Sequence, residues 1–180
     1  MALLAWPGMM LLHECGHMLA AWLTGGTVAG LVWHPLVFSR TDVSPNPSPL
    51  MVVWAGPMVG VLIPLVMERL AAVMKLGVLY LVRLFCGFCL IANGAYIGLG
   101  WFDRAGDAGD MVRLGSPVWV LMLFGGVTCA TGMWFWHLAS FRLGFGKEPV
   151  PAIPKVHVRW VLVVGLLLNA IGFVVGNRGV

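Results

Sequence analysis

The chain has 180 residues, of which 60% are hydrophobic and 10% charged, against about 25% charged in a soluble globular domain. Its mean hydropathy is +0.93, which excludes an ordinary soluble enzyme and leaves room for a single integral membrane domain. The net charge of +4 is the balance of eleven basic and seven acidic residues, and the basic ones mostly flank apolar runs. That is the positive-inside pattern of a membrane protein, and with no basic cluster interleaved with aromatics no nucleic-acid partner is expected.

Five apolar runs are long enough to cross a bilayer, each near 20 residues. In chain order they cover about Ala2 to Leu23, Leu50 to Met67, Leu76 to Leu99, Pro117 to Leu138 and Val158 to Val175. The N-terminus is apolar from Met1 and lacks the basic leader of a cleaved signal peptide, so the first run is expected to remain in the mature chain. Between the first and second runs, "TVAGLVW" and "LVFSRT" are rich in β-branched and aromatic residues and are separated by Pro35. They predict a short β-hairpin followed by the proline-rich "SPNPSP". A hairpin this apolar has to pack on protein or line a wet cavity, because open strand edges cannot face lipid. Arg69, Lys75, Arg83, Arg142, Lys147, Lys155 and Arg159 fall in or beside the second and fourth connections, and Arg40, Arg104, Arg113 and Arg178 on the other side. This asymmetry predicts a cytoplasmic N-terminus. The expected fold is an all-α polytopic membrane protein, one domain over residues 1–180, with about five transmembrane helices and that hairpin.

The first run contains "LLHECGHMLA". On a helix, His13 and His17 stand four residues apart and share a face, so both imidazoles reach one ion. Glu14 adjoins the first of them and reaches a water on that ion. This is the HExxH arrangement of zinc hydrolases. Catalytic zinc takes three protein ligands and keeps one position open. The third is sought among His34, His137, His157 and the acids, with Asp103, Asp107 and Asp110 clustered in "WFDRAGDAGDMVRLG" after the third run. Cys86 and Cys89 form a CxxC, but inside an apolar helix they read as small packing residues. Gly56 and Gly60 form a small-residue face for helix packing, and His34, His137 and His157 read as surface or interfacial.

An HExxH in a membrane helix, a Gly-Gly strand segment, "AGP" opening the next span and a distal Asp-x-Gly together resemble the site-2 protease family of intramembrane zinc metalloproteases. The resemblance covers roughly residues 9–115, leaving 116–180 as additional helices. It implies that Asp107 of "DAGDM" is the third ligand, with Gly109 retained and Ala108 replacing a family glycine, while Asp103 and Asp110 fall out of register. It also implies one Zn²⁺ per chain, Glu14 as general base, and peptide-bond hydrolysis in membrane-spanning substrates. Asn93 stands fourteen residues before Asp107 without the proline that accompanies the family's asparagine; it is a secondary candidate beside the site, as is Asp110, expected to support a ligand or cap a helix rather than bind the ion. A transmembrane substrate must unwind before attack, and the hairpin edge could hold it by strand addition. A polar channel to the site is required.

The expected activity is thus an intramembrane zinc endopeptidase in a multi-pass protein of a bacterial cell membrane, with the lipid bilayer and a transmembrane protein or peptide as partners. The chain carries no separate recognition domain, so substrate selection falls to the spans or to a regulatory membrane partner. The alternative is a non-catalytic membrane scaffold or binding protein, against which the intact Glu14 speaks. A transporter subunit with relay histidines would spread its polar residues over several spans, whereas here they concentrate at two places.

Overall fold

A computed structural model of the chain describes residues 1–146 and 149–176; Lys147 and Arg178 of the charge tally lie outside the described residues. Within these residues the chain forms six α-helices and a two-stranded sheet: α1 (Ala2–Leu23), β1 (Val28–Val32), β2 (Arg40–Val43), α2 (Pro49–Val73), α3 (Leu79–Gly100), α4 (Gly106–Arg113), α5 (Val118–Ser140) and α6 (Lys155–Gly176). A 3₁₀ turn, Phe141–Leu143, extends α5.

Four helical stretches are long and apolar enough to cross a membrane: Pro49–Val73, Leu79–Gly100, Val118–Leu143 and Lys155–Gly176. The expectation of five is corrected to four. Helix α1 has the length, at 22 residues, but His13, Glu14 and His17 dilute its hydropathy. Two other expectations change. The second strand starts at Arg40 rather than in "LVFSRT" as a whole, because Pro35 and Leu36 form a turn closed by Val37 N–H on His34 O and the chain stays irregular through Ser39. The acidic segment after α3, read only as a connection, contains the eight-residue α4.

Helix α1 has no β-branched residue and is built of strong helix formers such as Ala, Leu and Met. Pro7 lies inside it and removes the N–H that would bond Leu3 O. Asn169 of α6 supplies the missing donor, its Nδ2 lying 2.7 Å from Leu3 O. Gly165 makes that approach possible: a Cβ there would come within 3.2 Å of the Leu3 carbonyl. The C-terminus of α1 is closed by Thr24, whose hydroxyl donates to Ala20 O at 2.8 Å, and by Gly25 in the left-handed region at φ +78.

The strands pair antiparallel with Val28 opposite Val43 and Leu31 opposite Thr41, with an irregularity between Val28 and Gly30. The hairpin lies along α1: Trp33 Nε1 donates to Pro7 O (3.3 Å) and Trp6 Nε1 to Pro35 O (3.1 Å). Helices α3 and α5 form the most extensive helix pair. Their backbones meet where Gly98 faces Gly125; a Cβ on Gly125 would lie 2.6 Å from Gly98 Cα. Such small-residue contacts are how helices associate closely where lipid offers no hydrophobic drive. Cys86 and Cys89 are buried in α3 within two apolar clusters. A third cluster of Val53, Ile97, Ala108, Met111 and Leu121 ties α4 to α2, α3 and α5.

Candidate metal centre

Four elements meet around the first histidine pair. Helix α1 supplies His13, Glu14 and His17, which are 6%, 2% and 6% exposed. Their ligand atoms all lie within 4.8 Å of one another, close enough to hold a metal ion. Helix α2 crosses α1 so closely that a Cβ on Gly16 would lie 2.3 Å from Ala55 O. Helix α3 contributes Asn93, which is 1% exposed. Helix α4 brings Asp107 from 94 residues away: its Oδ2 lies 2.7 Å from His13 Nε2 and 3.4 Å from His17 Nε2. The two Nε2 atoms are 3.0 Å apart.

The outer partners fix which nitrogen carries each proton. His17 Nδ1 lies 2.8 Å from Val52 O, and a carbonyl oxygen only accepts, so Nδ1 is protonated. Asn93 Nδ2 donates to Cys89 O at 2.9 Å, which turns its Oδ1 toward His13 Nδ1 at 2.7 Å; again Nδ1–H is the donor. In neutral rings both Nε2 lone pairs therefore point inward, toward a carboxylate oxygen that is also an acceptor. Three acceptors facing one another at 2.7–3.4 Å repel unless a cation, or a proton on one ring, sits among them. Four tetrahedral ligands about 2.0–2.2 Å from zinc would stand about 3.3–3.6 Å apart: the donor types fit that ion, the 3.4 Å separation matches, and the two shorter ones would open by a few tenths of an ångström to admit it. Imidazoles whose other nitrogen is held by an amide or backbone carbonyl are the usual supporting arrangement.

The acidic residues separate cleanly. Asp107 belongs to the site. Burial alone pushes its carboxyl up, and the hydrogen bonds and charge of the two imidazoles outweigh burial and hold it well below the usual carboxylate range. Asp110 faces away and pairs with Arg113; the cap of α4 is Ala105, so the expectation of Asp110 as a helper or cap is corrected. The α4 turn requires its glycines. Gly106 has φ +56, and a Cβ there would strike Tyr96 Oη at 2.1 Å, while one on Gly109 would lie 2.1 Å from Arg104 O. Asp107 is the most open of the three converging groups, its side chain 19% exposed against 8% for the histidines.

His34, His137 and His157 stand elsewhere. His34 packs on Phe173 of α6, His137 lies beside Trp134 and Phe141, and His157 Nδ1 is 3.0 Å from Tyr80 Oη.

Three groups around the site were not legible as such. Gly56 was read as a packing glycine, but a Cβ on it would lie 2.3 Å from His17 Nε2 and 2.9 Å from His13 Nε2; it makes room for the imidazoles. Tyr96 Oη accepts the Asp107 backbone N–H at 3.0 Å. Thr41 on β2 donates to Glu14 Oε2 at 2.6 Å. The "AGP" stretch marks Gly56, but the other two bear no local signal.

No family model, curated protein or solved structure matches the chain.

Proposed function

We propose that the protein is an integral membrane, zinc-dependent endopeptidase of the site-2 protease type, with His13, His17 and Asp107 as the ligands. The observation that carries the reading is the inward convergence of two Nε2 lone pairs and one carboxylate oxygen, with Glu14 alongside. Zinc bound there would supply a Lewis acid that acidifies water toward neutral pH and polarises a carbonyl.

The chain's own groups perform the proton transfers. Glu14 is buried on the same helix face, and Thr41 occupies only its Oε2. Oε1 takes a proton from the attacking water as the water oxygen bonds the peptide carbonyl carbon. The same oxygen returns that proton to the amide nitrogen as the C–N bond breaks, leaving a carboxylic acid and an amine. Asn93 and the Val52 carbonyl hold the rings in their working tautomers. On this reading the four apolar helices carry α1 and its polar groups into the bilayer, and the substrate is a membrane-embedded peptide segment, unwound so that its carbonyl is accessible. Strand β2, whose Thr41 touches Glu14, offers a backbone with which such a segment could pair.

Zinc content measured in the purified wild type beside His13→Ala and Asp107→Ala tests the site, with one zinc per chain expected only in the wild type. Glu14→Gln is expected to keep the zinc and lose cleavage of a fluorogenic single-span peptide. Normal cleavage by Glu14→Gln refutes the mechanism. A chain purified without zinc, and unable to take it up, points instead to a non-catalytic scaffold.

A further inference from the structure

We infer that Thr41 is a positioning residue: its hydroxyl couples the β-hairpin to the general base by fixing the Glu14 carboxylate. The inference rests on the reading of Glu14 as base but concerns a residue that neither the HExxH motif nor the ligand set includes.

Glu14 is 2% exposed, and an ionised carboxylate only accepts hydrogen bonds. Among the described residues, the Thr41 hydroxyl is the donor that reaches it, at 2.6 Å and across 27 residues of chain. Burying such a group without a donor is costly. The donor is itself rigidly held. Along β2 the residues alternate, with Arg40 and Asp42 outward and Thr41 and Val43 turned in. The outward pair bond each other at 2.9 Å. Val43 packs on Ala20, Ala21 and Val52 at the contact of α1 and α2. Thr41 is pinned in register opposite Leu31, and its branched Cβ restricts χ1. The hydroxyl is therefore presented by a strand locked to the two helices that carry His17 and its Val52 partner. It holds Oε2 and leaves Oε1 as the oxygen for proton transfer. Freed of that bond, the carboxylate would rotate about χ3, a broad and weakly restrained torsion, and would lose its fixed orientation within reach of the histidines.

The test compares Thr41→Val, which keeps the shape and removes the donor, with Thr41→Ser, which keeps the donor. Two readouts are used. On the fluorogenic single-span peptide, Thr41→Val is expected to lower kcat about 10-fold to 100-fold, less than the roughly 100-fold to 10,000-fold that complete loss of a proton-transfer group costs. KM and zinc content should stay unchanged, and Thr41→Ser should recover at least a third of kcat. In protein loaded with cobalt(II), the visible absorption band reports the surroundings of the open coordination position without any turnover. There Thr41→Val is expected to shift the band as Glu14→Gln does, and the double variant to add nothing. An unchanged band in Thr41→Val, or an equal defect in Thr41→Ser, overturns the inference. Should Thr41→Val not fold, Thr41→Ala replaces it on both readouts. If the wild type cuts no peptide at all, the peptidase reading fails, while the cobalt comparison still decides whether Thr41 governs Glu14.

Discussion

Gly56→Ala is the sharpest test of the centre, because it adds one methyl group and touches no ligand chemically. Built on the existing backbone, the new Cβ would stand 2.3 Å from His17 Nε2 and 2.9 Å from His13 Nε2, where ordinary contact begins near 3.4 Å. The His17 ring must retreat by about 1 Å, several times the roughly 0.2 Å tolerance of a metal–ligand bond. Its retreat is not free, since rotation also breaks the Nδ1–H bond to Val52 O. Disturbing the outer partner of a metal-bound histidine already lowers affinity about 10-fold to 100-fold. Displacing the ligand itself should therefore weaken zinc binding at least 100-fold, or about 2.7 kcal/mol. Competition with a chromophoric chelator in detergent measures this, with circular dichroism and gel filtration confirming the fold. Gly126→Ala on α5 is the matched control, as a Cβ there meets nothing within 4 Å. If Gly56→Ala held zinc as tightly as the control, the imidazoles would not be directed at a shared ion beside α2, and the assignment of the centre would be wrong.

Other changes should grade with distance from the ion. Asn93→Ala leaves His13 Nδ1 unpaired and is expected to lower zinc affinity about 10-fold to 100-fold, read by the same competition. Tyr96→Phe removes only the acceptor for the Asp107 N–H; a loss of about 1 kcal/mol predicts roughly fivefold weaker binding, and an unchanged affinity would show that α4 is held by its apolar cluster alone. Zinc binding should weaken as pH falls, since both imidazoles bind as neutral rings and protons compete for Nε2. Asp107, held well below the usual carboxylate range, stays ionised over that interval, so a zinc titration from neutral to mildly acidic pH should lose affinity without a carboxylate step.

What could be read from the chain and what could not divide along physical lines. Long apolar runs are visible because hydropathy sums over many residues, and α1 was placed at Ala2–Leu23 as observed. The i, i+4 spacing of His13 and His17 is a local property of one helix and was equally visible. Asp107 needed the family resemblance, because no local pattern brings α4 to α1. Asp107 and Asp110 differ only in which side of a short helix they occupy, and the packing of Ala108 and Met111 into the apolar cluster decides that side. Thr41, Gly56 and Tyr96 act through contacts made 27 residues or more from Glu14, across a helix crossing, or through a backbone N–H. Those depend on tertiary geometry that composition and periodicity do not encode.

The same geometry accounts for α1, the one long helix here that fails as a free membrane span. A histidine pair and a glutamate at mid-helix are expensive beside lipid, and α1 keeps all three away from its surroundings. Helix α2 covers Gly16 and the His17 face, Asn93 of α3 and Asp107 of α4 close over His13, β2 covers Glu14, and α6 supplies Leu3 with the donor that Pro7 denies it. Each covering element also gives a polar partner: a carbonyl, an amide, a carboxylate, a hydroxyl or an amide donor. Apolar residues at 13, 14 and 17 would make α1 a better span and would leave those partners unpaired in the interior. The polar residues and their surroundings are thus one design, and its three inward acceptors converge where a cation would be held.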